Sequence, residues 1–279
     1  MPPLLLAAVQ AGIISQVDAE QVARSLDADY ARQWTEAALE QAFGGALSGQ
    51  QRRLLELLRA TDYNPTVAAL DAFWDKEATL FWGDVQPLIL DTVTERATIG
   101  AVAAGLDTWD FVNQSVIDWA EDYYTGSELI EGSVKQLNRT AHQNVSKAFV
   151  QWNQGNLSDS KNRGLPDLIR ALQPTFGPER AERIAVTETT RLFVEAQRFV
   201  EESNPDTLYF RWLTAADELV CPICGPMHGL TRKKGERFIH PVLGPIDIPA
   251  HPRCRCDETP ETALTIKVPL WFDESETAQ

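Results

Sequence analysis

Four cysteines, all placed between residues 221 and 256, constrain this chain more than any other feature of its sequence. They form two groups, Cys221-Pro-Ile-Cys224 and Cys254-Arg-Cys256. Two thiolates with two residues between them in a tight turn can both point at one ion, at a zinc–sulfur distance of about 2.3 Å. Residues 207–258 carry little apolar mass for a core, and a closed zinc site would supply folding energy in its place. We therefore expect these residues to form a small zinc-stapled module.

The ligand set of this module is open between two alternatives. His251 precedes Cys254 by three residues, which is the spacing of a good half-site. The fourth ligand could therefore be His251, with either Cys254 or Cys256 released from the ion. We favour four cysteines, although both sets are ordinary for structural zinc.

Disulfide, redox and catalytic interpretations of the cysteines are less favoured. A disulfide framework is typical of short secreted chains, whereas the first 220 residues here contain no cysteine. A redox pair needs a helix starting at the motif, and Gly225-Pro226 follows it instead. A catalytic zinc needs an open position and a nearby acid or base, for which Asp217, Glu218 and His228 are close in sequence. Because Asp217 and Glu218 are also typical turn residues, we favour structural zinc.

The rest of the chain predicts a mainly α fold with a small C-terminal α+β module. Gly44-Gly45 is expected to stop the first helix, and a separate helix is expected from Asp84. Helices are predicted over 18–43, from Ser48, from Asn64-Pro65, and over 84–104, 108–123, 127–152, 166–172 and 178–202. Strands are predicted over 207–214, 238–239, 246–248 and 264–268.

The turn-rich segment 153–164 is the clearest linker, which gives a domain prediction. Residues 1–152 are predicted to form a helical region, and residues 165–279 are predicted to form a second domain, resembling a separate folding unit, that contains the module. The aromatic segment 107–124 is expected to be core, with a subunit contact left open. The apolar residues 2–9 are expected to be a packing arm and not a signal peptide, and no stretch is long enough to span a membrane.

The net charge of -15 makes the chain a poor general binder of nucleic acid. Any DNA contact needs a local basic patch, and Arg232, Lys233, Lys234 and Arg237 provide a candidate. These residues could contact DNA or an acidic partner surface, and they could equally belong to a solvated loop tip.

An ordered set of residues in the second half of the chain resembles a known family. It comprises Arg183-Ile-Ala-Val-Thr-Glu188, Trp212-Leu-Thr, Asp217, Val220-Cys-Pro-Ile-Cys224, Gly229, Phe238 and Pro249-Ala-His-Pro-Arg-Cys-Arg-Cys256. Over about residues 165–258 the chain is similar to the bacteriophage head morphogenesis (minor head protein) family, the phage Mu F-like group.

The resemblance implies a virion component made in the bacterial cytoplasm and built into the capsid interior near the portal. The implied roles are capsid assembly, DNA packaging or DNA ejection. The implied partner is portal or major capsid protein, which the helical region 1–152 is expected to contact, and DNA is a further candidate partner. The chain could also form an oligomer within the particle. No catalytic residue is implied, and we expect no enzyme. The competing hypotheses are a nucleic-acid-binding zinc module and, less favoured, a metal-dependent hydrolase or nuclease delivered with the DNA.

Overall fold

The computed structural model describes residues 16–106, 109–126, 132–154, 165–215 and 220–262. Six helices precede a small strand-containing region at the C-terminal end, which confirms the mainly helical fold class. The helices are α1 (Gln16–Ala60), α2 (Val67–Ala104), α3 (Trp109–Thr125), α4 (Ser133–Asn153), α5 (Leu165–Phe176) and α6 (Pro178–Ser203). No helix in these ranges is long and apolar enough to cross a membrane.

Helix α1 continues through Gly44-Gly45, so the predicted stop there is wrong. Glycine costs a helix roughly 1 kcal/mol relative to alanine, and tertiary packing can outweigh this. Phe43 and Leu47 on either side are buried, and a Cβ added at Gly44 would lie 3.8 Å from the Cβ of Ala181. Burial on both sides of the glycine pair therefore keeps the helix continuous.

The predicted separate helix from Asp84 is also wrong, because α2 runs unbroken from Val67 to Ala104. Pro87 lies inside this helix, where the missing N–H would ordinarily favour a break. Phe81, Val85 and Ile89 are buried at four-residue spacing across the same stretch. One continuous apolar face thus spans the position at which the sequence suggested a boundary.

The chain forms two compact units, residues 1–88 with 138–185 and residues 89–137 with 186–279. In the first unit, Phe43 and Phe81 stack with ring centroids 6.0 Å apart. Arg53 and Glu77 form a two-contact ion pair at 2.6 and 2.7 Å. The predicted division at 153–164 stays a prediction, since residues 155–164 lie outside the described ranges.

The second unit contains the strands β1 (Tyr209–Leu213), β2 (Thr231–Lys233), β3 (Phe238–His240), β4 (Gly244–Ile246) and β5 (Asp257–Glu261). One antiparallel sheet has the order β2-β1-β5, and β3 and β4 form a hairpin. Strand β1 alternates buried and half-buried residues and places Phe210 and Trp212 in the core. The ring of Phe238 meets Trp212 edge-on at 5.1 Å, which anchors the hairpin to the sheet core.

Aromatic residues of α3 pack within the second unit, as expected. Tyr124 is fully buried, and Trp119 stacks on Tyr123 with centroids 5.5 Å apart. The predicted arm (2–9), the strand over 264–268 and most of the predicted linker fall outside the described residues.

Candidate metal centre

The first cysteine pair lies in a tight turn. The backbone N–H of Gly225 donates to the carbonyl oxygen of Cys221 at 2.9 Å, and the N–H of Cys224 points at the Cys221 sulfur at 3.3 Å. A three-residue 3-10 helix, Gly225–Met227, follows the pair. The α-helix that a redox Cys-x-x-Cys pair requires does not form here, in agreement with the sequence argument.

The second turn, His251-Pro-Arg-Cys254, is held by helix α6. Arg253 adopts a left-handed backbone conformation with φ of 62°, and its N–H donates to the hydroxyl oxygen of Thr187 at 2.9 Å. One helical turn further on, the Thr190 hydroxyl donates to the carbonyl oxygen of Cys254 at 2.6 Å. Two threonines on one face of α6 therefore fix the orientation of this turn.

The two turns bring all five predicted ligands together. The Nε2 atom of His251 lies 3.0 Å from the Cys221 sulfur and 3.2 Å from the Cys224 sulfur. The sulfurs of Cys224 and Cys254 are 3.9 Å apart, and none of the four cysteines forms a disulfide. The ligand atoms form two groups, and the atoms of each group lie within 4.8 Å of one another. Both groups contain Cys224; one also contains Cys221 and His251, and the other contains Cys254 and Cys256.

The donor set fits a zinc ion. A tetrahedral ion with zinc–sulfur bonds of about 2.3 Å separates two sulfurs by about 3.8 Å, close to the 3.9 Å between Cys224 and Cys254. The Nδ1–H of His251 donates to the carbonyl oxygen of Pro252 at 2.8 Å. This leaves the lone pair on Nε2 free to face the sulfurs, which is the tautomer of a metal-binding histidine. Cys224 and Cys254 are buried, whereas Cys221 and His251 are partly exposed.

The electrostatics of the buried sulfurs favour a thiolate at Cys254. Hydrogen bonds from Cys224 and Cys256 lower the pKa of Cys254 far below its usual range, with support from the backbone at Cys256 and Ala250. The same hydrogen bonding raises the pKa of Cys224. The ionisation of each of the three packed sulfurs thus depends on the other two, and a divalent cation would favour the thiolate form of all of them.

The indole N–H of Trp212 lies near the sulfur of Cys256. Its nitrogen is buried and has no well-aligned acceptor among the described residues. The hydrogen bond with Cys224 lowers the pKa of Cys256, but the hydrogen bond with Cys254 and burial outweigh it and raise the pKa to about 12, and Trp212 makes only a small contribution that lowers it. A metal-bound thiolate at Cys256 would be the acceptor that this N–H otherwise lacks.

Among the described residues, the histidines considered for a catalytic site do not join the cysteines. The imidazole Nδ1 of His228 contacts the hydroxyl of Thr214 at 3.0 Å and belongs to neither ligand group. His240 accepts backbone N–H bonds from Val242 and Leu243, each at 3.0 Å, within its own hairpin. Asp217 and Glu218 lie outside the described residues.

The four basic residues near the hairpin differ in their surroundings. Arg232 is only 5% exposed; its guanidinium contacts Glu258 at 3.0 Å and lies 4.2 Å above the Phe210 ring. Arg237 pairs with Asp247 at 2.6 Å. Lys234 donates to the carbonyl oxygen of Asn204 at 2.8 Å, and Lys233 is exposed. Arg232 is therefore a core residue and is not available to a surface ligand, while a partner contact by the other three stays a prediction.

The sequence did not point to the buried carboxylate of Glu258. The Glu258 side chain is 0% exposed. Its carboxylate oxygens accept hydrogen bonds from the guanidinium of Arg198, at 2.7 and 3.0 Å, and from that of Arg232. This arginine–glutamate–arginine cluster joins α6, β2 and β5 beside the ligand turns. No local pattern marks it, because its partners lie 60 and 26 residues away in sequence.

Comparison with known families supports the resemblance. Residues 161–259, about a third of the chain, match the family described as "Phage Mu protein F like protein". The ligand turns, the sheet and helix α6 all lie within or at the edge of this segment, and the match relates it to phage head proteins. No curated protein and no solved structure matches the chain.

Proposed function

We propose that this chain is a minor head protein of a bacteriophage, in which a structural zinc ion closes the C-terminal module. The observation that carries the proposal is the coincidence of two findings. The segment that matches the phage Mu F-like family, residues 161–259, is also the segment in which four cysteines and a histidine converge. The module would act as an adaptor in a virion component, through its shape and the contacts it makes.

The ligand count supports a structural ion and argues against catalysis. Structural zinc takes four protein ligands, whereas catalytic zinc keeps one position for water. Cys224 and the four candidate ligands around it make five, more than one four-coordinate ion requires. The chain's own residues can therefore close the site, with Cys221, Cys224 and Cys254 joined by His251 or Cys256. When bound, the zinc would supply folding energy, and we propose no enzymatic activity.

The anchoring of the module to α6 supports an adaptor role. Thr187 and Thr190 hold the second ligand turn, and Glu258 of strand β5 receives Arg198 from the same helix. These polar links, of which the Thr190 bond is buried, resist sliding of the strands against the helix, because each sliding step would leave a charge or carbonyl unpaired. They hold the module in a fixed position on α6.

We propose portal or major capsid protein as the partner, with assembly in the bacterial cytoplasm and retention in the virion. The β3–β4 hairpin offers a protein-contact surface, since Ile239, Val242 and Leu243 are 61%, 85% and 57% exposed. Clustered exposed apolar side chains are typical of interaction sites. The imidazole of His240 accepts hydrogen bonds from the backbone of the hairpin turn, so the apolar surface is held in one conformation.

Co-expression with the portal protein of the same phage tests the proposal. The full chain should co-purify with portal and bring one zinc ion per chain, measured by elemental analysis of the complex. The triple variant Ile239→Ser, Val242→Ser, Leu243→Ser should keep its zinc and bind less portal. A chain that carries no metal, or that is missing from mature particles and never retained by portal or capsid protein, would refute the assignment.

A further inference from the structure

A shallow groove between helices α2 and α3 lies within the second unit and has a volume of about 630 Å³. Helix α2 contributes Leu90, Thr94, Thr98 and Ile99 to its lining, and α3 contributes Ile117. Ile99 is 50% exposed and Val102, one turn further along α2, is 76% exposed. These side chains form a solvent-facing apolar surface on the helices of this unit.

The row of side chains along the α2 side of the groove, continued beyond the groove lining by Val102, is as long as a short helix. Leu90, Thr94, Thr98 and Val102 recur every four residues and so lie in one row along α2. With a rise of 1.5 Å per residue, this row is about 18 Å long, which corresponds to roughly three helical turns. Small threonines between two aliphatic ends leave room for the side chains of a neighbouring helix.

The rim of the groove is acidic and its charges are uncompensated. Asp91 and Glu95 lie one turn apart beside the apolar row, and both are exposed. Within the described ranges neither carboxylate has an ion pair or hydrogen bond. Arg96, the nearest basic residue in sequence, places its guanidinium 4.1 Å over the ring of Phe193. The groove therefore presents an apolar floor beside two unpaired negative charges.

We propose that this groove binds an amphipathic helix of another protein, with leucine-like residues on one face and Lys or Arg beside them. An apolar helix face buried in a groove is a common recognition mode, and flanking cations would pair with Asp91 and Glu95. A second copy of this chain fits poorly, because each copy carries a net charge of -15 and an identical acidic rim. Electrostatic complementarity thus selects a basic partner.

Two matched peptides test the proposal on the full-length, zinc-loaded chain. Both are side-chain-bridged helices of about three turns with leucines on one face; one has lysines beside them and the other glutamates. At low salt the lysine peptide should bind about tenfold more tightly than the glutamate peptide, by fluorescence anisotropy. Ile99→Asp should weaken binding of the lysine peptide about tenfold, and the double variant Asp91→Lys, Glu95→Lys should reverse the preference.

Val150→Asp is the matched control, since Val150 is 52% exposed on α4 in the other unit and its replacement should leave binding unchanged. Helical circular dichroism of each variant verifies folding, which the exposure of Ile99 should preserve. The proposal is overturned if neither peptide binds, if both bind equally, or if Ile99→Asp has no effect. Self-association of the chain that Ile99→Asp abolishes would overturn it in favour of a second copy.

Discussion

The hydroxyl of Thr190 donates a 2.6 Å hydrogen bond to the carbonyl oxygen of Cys254. Thr190 is fully buried on helix α6, and Cys254 is a buried member of the candidate zinc site. The bond joins a helix to a ligand turn 64 residues later in the chain. It makes the position of one ligand depend on the position of the helix.

Thr190→Val should destabilise the chain and weaken metal binding. The substitution keeps the shape but leaves the Cys254 carbonyl buried without this donor, at a cost of about 1–3 kcal/mol. Loss of an outer-shell partner also typically lowers metal affinity about 10–100-fold. Urea unfolding and competition with a zinc chelator measure the two effects. Thr190→Ser, which retains the hydroxyl, should come closer to wild type in both; equal losses in the two variants would contradict the hydrogen-bond explanation.

Removing the metal should unfold the C-terminal module and leave most of the helical structure intact. Cys221→Ser deletes one ligand, and three of the cysteines are part of the small buried core that holds the strands, so loss of the ion should loosen that core. We expect new cleavage sites after Asn204 in limited proteolysis, with most of the helical circular dichroism retained. Chelation of zinc from the wild-type chain should give the same pattern.

His228→Ala is the control for this experiment, because His228 lies outside both ligand groups. A digestion pattern identical for Cys221→Ser and wild type would refute the prediction.

Glu258→Gln should be strongly destabilising. Two guanidinium groups, those of Arg198 and Arg232, face this fully buried carboxylate, and the change removes the negative charge that compensates them. Breaking a buried ion cluster in this way costs about 3–5 kcal/mol. The comparison is Glu179→Gln, whose partner Arg183 lies 3.2 Å away on the surface and whose loss should cost less than about 1 kcal/mol. Chemical denaturation that gives similar losses for both variants would argue against a buried cluster.

Stability should fall as pH rises from 10 to about 12. Burial, followed by the carboxylate of Glu188, raises the pKa of Tyr123 to about 12, against about 10 in an unfolded chain. Below pH 10 both states keep the proton and the contribution of Tyr123 is complete. Between the two pKa values only the unfolded state ionises, so the free energy of unfolding falls by at most about 1.4 kcal/mol per pH unit.

The Tyr123→Phe variant checks this assignment, because phenylalanine has no proton to lose. Its free energy of unfolding, measured by urea titration at several alkaline pH values, should depend on pH less steeply than that of wild type. An unchanged slope would show that other groups control alkaline unfolding.

Local sequence patterns predicted the ligand turns well but not what holds them in place. The spacing of Cys221 with Cys224, and of His251 with Cys254, is a property of single turns and can be read directly from the chain. The links from Thr187, Thr190 and Glu258 depend on packing between segments about 60 residues apart, which no short pattern encodes.

The helices show the same contrast between local and long-range effects. Predicted boundaries fail where buried contacts decide the outcome, as at Gly44-Gly45 in α1 and Pro87 in α2. Strands β2 and β5 were not predicted, because β2 (Thr-Arg-Lys) has no apolar residue and β5 contains Pro260, both weak signals for a strand. These segments become strands because they pair with β1, whose own sequence strongly predicts a strand.

The two threonine contacts on α6 have a mechanical consequence. Since Thr187 and Thr190 are one helical turn apart and hold consecutive residues, Arg253 and Cys254, the turn cannot pivot about a single bond. A rotation of α6 about its axis would therefore be transmitted to the backbone at Arg253 and Cys254. The helix and the cysteine turn should thus move together as one rigid element, so that a displacement of either is passed on to the other.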